Sequence, residues 1–347
     1  MGQQVSLEAG GKLAVKIKNS SYTGGEEVEG LVHILVQHIL PPSTLILCFK
    51  GRETVKKIQA SKQERETIQK HKLHSLKIVL LTWEEGIKRN NYSIPFTIIL
   101  PEELDASLDF TTTHIQASIT YTITAKLITH KKLLLGSAKV PLLILPNPQK
   151  EIKNQEVFQE FPLRSLCCCK RGYINISIKH PTNYYSSSHP AIVSIEIDNS
   201  RSSIASKSLT LTLSCILNIK NKDSIVLTNI LDFYHMQVPV KIEPFRDDVY
   251  VYEAVIDLPY LSAPLNKIYS RIGPAFEILF VLRADLELNA LTTSIWPCLS
   301  SYIQIIPNVY KPPSPKMISR EDLWPLALKI SPLTLTASVT SDEIEND

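Results

Sequence analysis

The sequence predicts an all-β protein organised as two antiparallel β-sandwich domains in tandem. Three observations carry that prediction. Apolar residues recur at every second position over long stretches, no segment of helical length shows a 3.6-residue apolar stripe, and a proline-rich break splits the alternating stretches into two comparable groups. Successive strand side chains point to opposite faces, so strict alternation marks strands with one buried and one solvated side. Many such strands specify antiparallel sheets packed face to face.

The alternation begins with Val28, Val32, Ile34 and Val36. A longer run follows, in which Ile115, Ala117, Ile119, Tyr121, Ile123, Ala125 and Leu127 interleave with polar Gln116 to Lys126. Pro146-Asn147-Pro148 then opens a polar stretch without sustained alternation, which reads as an interdomain connection. Beyond it the pattern resumes in Ile174, Ile176 and Ile178, in Leu209, Leu211, Leu213 and Cys215, in Tyr250, Tyr252, Ala254 and Ile256, and from Phe276 to Leu288. The expected organisation is a sandwich over residues 1–147, a linker over 148–170, a second sandwich over 171–307 and a tail over 308–347. Within the tail, Leu326, Leu328 and Ile330 alternate like a strand that could add to a sheet edge. The acidic end (Asp342, Glu343, Glu345, Asp347) could then meet a basic surface.

Composition fits this plan. A chain of 347 residues suits two domains, and 44% hydrophobic with 20% charged residues is globular composition. Net charge is only +3, too small to steer the whole molecule toward nucleic acid. Six cysteines, three of them consecutive, do not space out as a disulfide framework. No apolar leader with a cleavage site is visible, and prolines and polar groups between Leu31 and Phe49 exclude a spanning helix there. The expected location is cytoplasmic, with peripheral contact to a plasma or endosomal membrane as an extension of that reading.

Charge is concentrated between Lys50 and Leu80. Nine Lys or Arg face three Glu there, a net +6, which leaves the rest of the chain at −3. Lys50 heads this segment, and Arg52, Lys56, Lys57, Lys62, Arg65, Lys70, Lys72 and Lys77 are the candidate interaction residues on a protruding loop or extended hairpin. The plainer reading is a solvated loop; the functional one is contact with anionic lipid or an acidic peptide. Nucleic acid fits poorly because no aromatic residues are interleaved for stacking.

Three short motifs remain. Met1-Gly2-Gln3-Gln4-Val5-Ser6 matches the N-myristoylation pattern, which places the acyl chain on Gly2. One acyl chain anchors only marginally, so a second signal is needed, from the basic segment or from palmitoylated Cys167, Cys168 or Cys169. Adjacent strand residues point in opposite directions, so the three cysteines do not converge on a metal. Pro312 and Pro315 give one P-x-x-P spacing of the kind an SH3 groove accepts, although proline-rich linkers carry the same spacing. His71 and His74 lack a surrounding ligand set, and no nucleophile elbow, zinc-protease, Walker or C-x-x-C pattern is present. The expectation is a chain without catalytic residues, metal or cofactor.

Several of these stretches resemble one family in order along both halves. Tyr22-Thr23-Gly24-Gly25-Glu26 through Gly30 resembles the arrestin pattern of Tyr, a Pro-Gly-Glu turn and Val-x-Gly, with Gly24 in place of the proline. Leu47 to Gly51, Tyr92-Ser93-Ile94-Pro95-Phe96, and Leu100-Pro101 followed by Ser107 resemble the next family stretches, with Asp105 replacing a second proline. In the second half, Cys167-Cys168-Cys169 with Gly172-Tyr173-Ile174, then Tyr185 and Ile197-Asp198-Asn199-Ser200, resemble the corresponding entry and turn, although Ser186-Ser187-Ser188-His189 has replaced Pro-Gly-Glu. The likeness runs from about residue 7 to residue 307 and is closest to the α-arrestins.

That resemblance implies the arrestin fold of two immunoglobulin-like sandwiches. It also implies an adaptor for endocytic sorting of membrane proteins, with membrane proteins and coat or sorting proteins as partners. The alternative it implies is a structural subunit of a vesicle or retromer-like coat. Several family features have no counterpart: paired lysines on the first strand, Pro-Pro-x-Tyr, and an acidic polar-core residue in the stretch Ser20-Ser21-Tyr22-Thr23.

Overall fold

A computed structural model describes residues 4–7, 10–58, 65–146, 153–165, 169–182, 184–221, 224–261, 268–289, 296–306 and 328–329. These residues are all β and form two sandwiches in tandem. Among them there is no helix long and apolar enough to cross a membrane.

The first lobe contains β1 (Gln4–Ser6), β2 (Gly11–Ile17), β3 (Ser21–Tyr22), β4 (Glu27–Val36), β5 (Ser43–Ile58), β6 (Arg65–Trp83), β7 (Asn90–Ile99), β8 (Leu108–Thr111), β9 (Ile115–Thr129) and β10 (Leu134–Ile144). One sheet runs β1-β2-β4-β7 and the other β3-β10-β9-β5-β6, with β8 attached to β9. Ten further strands build the second lobe: β11 (Lys153–Ser165), β12 (Cys169–Thr182), β13 (Tyr184–Ser186), β14 (Ala191–Asp198), β15 (Ser206–Asn221), β16 (Ser224–Pro239), β17 (Tyr250–Ile256), β18 (Arg271–Ile272), β19 (Phe276–Leu288) and β20 (Cys298–Ile306). Their sheets run β11-β12-β14-β17 and β13-β20-β19-β15-β16, with β18 attached to β19. Adding ten to every label of the first lobe reproduces the second. Even the short parallel pair recurs, β3 with β10 and β13 with β20.

Alternation places the core as the sequence dictates. Every odd residue of β9 from Ile115 to Thr129 is buried, as is every even residue of β19 from Phe276 to Leu288. Those side chains meet Val32 and Ile34 of β4 in the first lobe and Ile176, Ile178 and Ile195 of the opposite sheet in the second. Tyr250 and Tyr252 are only half-buried, because β17 lies at the edge of its sheet.

Residues 148–170, expected to be an interdomain linker, carry β11, which belongs to the second lobe. It pairs with β12 from Lys153↔Thr182 to Ser165↔Cys169. The pattern misleads because β11 is an edge strand. The face that carries Val157 and Leu163 also carries polar Gln155 and Gln159, both exposed, while Phe158 on the other face is exposed too, so period two is broken on both faces. Pro162, which cannot donate to a ladder, also fits an edge position.

The turns of the two lobes use different chemistry at equivalent places. Between β3 and β4, Gly25 adopts φ +80 and the Glu26 carboxylate accepts the Thr23 N–H at 2.8 Å. Between β13 and β14, where Pro-Gly-Glu is replaced, serine hydroxyls close the turn. Ser188 N–H donates to Ser186 Oγ, and His189 N–H donates to the Ser186 carbonyl at 3.1 Å. In the tail, β21 (Leu328–Lys329) pairs in parallel with β7, Leu328 opposite Tyr92.

Candidate functional site

The two lobes meet through a buried ionic cluster. Alternation on β5 sends Phe49, Gly51, Glu53 and Val55 inward, which brings a carboxylate to the end of the first lobe with no solvent exposure. Burying a lone carboxylate is prohibitive, so it must be paired. Arg271 of β18 donates from Nη1 to Glu53 at 2.5 Å and from Nη2 to Asp105 at 2.9 Å. The backbone N–H groups of Ala275 and Phe276 each donate to Glu53 at 3.2 Å. The guanidinium also sits 4.9 Å from the centre of the Phe276 ring. Burial pulls the Arg271 pKa down, but hydrogen bonds to Asp105 and Glu53 outweigh it and hold the group above its ordinary value.

Two phenols frame the cluster. Tyr269 of the second lobe donates to the Ala106 carbonyl of the first at 2.5 Å, and Tyr121 donates to the Asp105 carbonyl at 2.9 Å. Burial raises the pKa of both, so both remain donors at neutral pH. Gly51 exists to admit the Tyr121 ring, since a Cβ there would lie 2.5 Å from it. Gly273 does the same for Arg271, whose Nη1 would lie 1.9 Å from an added Cβ. A further bridge runs from Gln69 Nε2 to the Lys220 carbonyl. The ion pair of Lys220 with Glu277, at 2.5 Å, supports that end of β15.

Ser20 to Thr23 supplies no acid, as read from the sequence; Glu53 and Asp105 supply the buried and half-exposed carboxylates instead. Sequence reasoning counted Glu53 only as a minor charge in a basic segment and Asp105 only as a departure from proline. The available signal was that Glu53 falls in register with core residues Phe49 and Val55.

A second polar network lies inside the second lobe. Buried His180 contacts Ser301 Oγ through Nε2 at 2.7 Å and Tyr185 Oη through Nδ1 at 3.1 Å. Burial lowers the His180 pKa and keeps the ring neutral. With Ser301 2% exposed, this serine–histidine contact faces the core and not a substrate.

Family models and curated proteins were compared with the chain. Neither comparison finds a match.

The basic segment forms a hairpin, β5 against β6. It brings Arg52, Lys56, Lys70, Lys72 and Lys77 to one outward face, while Lys57 pairs with Glu66 on the opposite face. Arg65 opens β6, and Lys62 lies outside the described residues. Gly2, Cys167, Cys168, Pro312 and Pro315 also lie outside them. Cys169 is exposed at the start of β12.

Proposed function

We propose that this chain is a non-enzymatic adaptor of the arrestin type, linking membrane proteins to the sorting or coat proteins of endocytic traffic at the cytoplasmic face of a plasma or endosomal membrane. One observation supports the reading above others. The stretches that resemble the arrestin pattern, around Tyr22 and around Tyr185, occupy the same station in two lobes of identical strand order. Both tyrosines lie on the short strands β3 and β13 that pair in parallel with β10 and β20. Two sandwiches held at a fixed angle present separate surfaces to two partners, which is what an adaptor requires.

A permanent coat subunit is the second reading, favoured by the buried Glu53–Arg271 contact, which holds the lobes as one body. Proximity labelling in the native cell, followed by co-purification, separates the two. An adaptor yields membrane-protein neighbours in substoichiometric, cargo-dependent complexes; a coat subunit co-purifies at fixed stoichiometry. Neighbours that include neither membrane nor coat proteins would remove both.

A further inference from the structure

The outward face of the β6-β5-β9-β10 sheet carries cations on all four strands. On β5, Lys50, Arg52 and Lys56 alternate with the inward residues. The register sets Arg52 opposite Lys72 of β6 and Thr120 of β9, and Thr54 opposite Lys70 and Ser118. Lys77 lies opposite Cys48, Lys126 opposite Ile46, and Lys139 of β10 opposite Thr124. Strands about 4.8 Å apart and side chains about 7 Å apart along each strand spread these charges over a broad area.

Among the described residues, anions are nearly missing from that area. Glu53 points into the lobe junction and Glu66 lies beside Lys57 on the other face. Asp109, at the β8 margin, accepts from Gln116 Nε2 at 2.9 Å. None of the ion pairs among the described residues involves a cation of this face. Like charges directly opposite on neighbouring strands are destabilising, so the Arg52–Lys72 pairing is a standing cost that an external anion relieves. Lys50 reports the same crowding: burial first, then Lys126, Arg52 and Lys72, lower its pKa.

We propose that this sheet face rests directly on an anionic lipid bilayer, its lysines reading the phosphate and carboxylate charge of the headgroups. The arrangement is a plane of charges and not a groove. The cations named here are lysines apart from Arg52, and an ammonium is a point charge indifferent to the orientation of its partner, whereas phosphopeptide sites favour the bidentate fork of arginine. Between the cations lie threonines and serines together with Ile46, Cys48 and Val79, and the described residues of the face offer no aromatic ring for a base to stack on. The inference goes beyond the adaptor reading, because an adaptor could reach the membrane through cargo alone.

The test is co-sedimentation of the full chain, without acylation, with phosphatidylcholine vesicles and with vesicles containing about 30% phosphatidylserine. Binding is expected only to the anionic vesicles, and is expected to fall steeply between about 0.1 M and 0.5 M salt. Each cation contributes about fivefold, so Arg52→Gln, Lys70→Gln, Lys72→Gln and Lys77→Gln together lower the affinity about a hundredfold or more. A control that removes the same charge elsewhere (Lys12→Gln, Lys88→Gln, Arg89→Gln, Lys241→Gln) stays within about twofold of the parent. Lysine-reactive labelling of the unaltered chain supplies a readout independent of the variants: anionic vesicles protect Lys70, Lys72 and Lys77 but not Lys88. Equal binding to both vesicle types, or equal losses in the two quadruple variants, overturns the proposal. So does an acidic or phosphorylated peptide that protects this face when vesicles do not. Failure of the adaptor reading in cells leaves these vesicle measurements unchanged, so the two claims fail separately.

Discussion

Replacing Arg271 by Met removes the cation from the lobe junction while roughly keeping its length. Glu53 then remains fully buried with only the Ala275 and Phe276 N–H groups as donors. Removing one partner of a buried ion pair typically costs about 3–5 kcal/mol, and replacing both by apolar groups of similar volume is often close to neutral. Asp105 is 41% exposed, so its share of the contact is screened and worth at most about 1 kcal/mol. Glu53→Leu leaves Arg271 with that weaker partner, so the expected cost is about 2–4 kcal/mol. The double variant should cost no more than either single, giving a coupling energy of about 4 kcal/mol. Urea denaturation of the four proteins measures the cycle. Hydrogen exchange at the Ala275 and Phe276 amides then shows whether the loss is local to the junction. If the single effects add to within about 0.5 kcal/mol, Glu53 and Arg271 are not the pair that locks the lobes.

Gly273→Ala should displace the Arg271 guanidinium and cost about 1–3 kcal/mol, with a matching loss of Ala275 protection. Its effect should vanish in an Arg271→Met background. Stability should also depend on pH through His33, whose pKa burial and then Lys16 lower from 6.5 to about 4. Neither state is protonated above pH 6.5; between there and pH 4 the unfolded chain takes the proton first, so stability falls across that window and levels off below it. Allowing for partial exposure, the loss is about 1–2 kcal/mol, and His33→Gln should flatten the urea midpoint over the same range. Ser301→Ala leaves buried His180 without its Nε2 partner and should cost about 1–3 kcal/mol in a melting experiment, against less for exposed Ser300→Ala. Deleting residues 316–347 removes β21, so amides from Tyr92 to Ile94 should exchange faster while those of central β4 stay unchanged.

Much of the architecture could be read from the residues because long central strands such as β9 and β19 keep period two from end to end. β9 and β19 sit between neighbours on both sides, and their inward positions are apolar except for Thr129, while the outward ones are free to be polar. β11 escaped the same reasoning because an edge strand tolerates an exposed Phe158 on one face and an exposed Gln159 on the other. The basic segment reads as a protruding loop or an extended hairpin and forms the hairpin, yet the charge count gives no hint that Lys57 leaves the face or that Lys126 and Lys139 join it. Those placements depend on register across strands distant in sequence. Glu53 was obscured for the opposite reason: its neighbours in sequence are cations, whereas its partner lies 218 residues away.

The ten-strand offset between the lobes gives the junction an unusual character. The segment leading into β8, with Asp105 and Ala106, touches the corresponding segment of the other lobe, Tyr269 and Arg271 at β18. Matching stations of two copies of one plan therefore face each other, much as they do in a symmetric homodimer. Charge breaks that likeness: the acids belong to one copy and the guanidinium to the other. A first lobe meeting another first lobe in this way would bury two carboxylates together, and two second lobes would bury two guanidinium groups. The polypeptide thus carries a built-in penalty against like lobes pairing between molecules, and this junction accepts only a first lobe against a second.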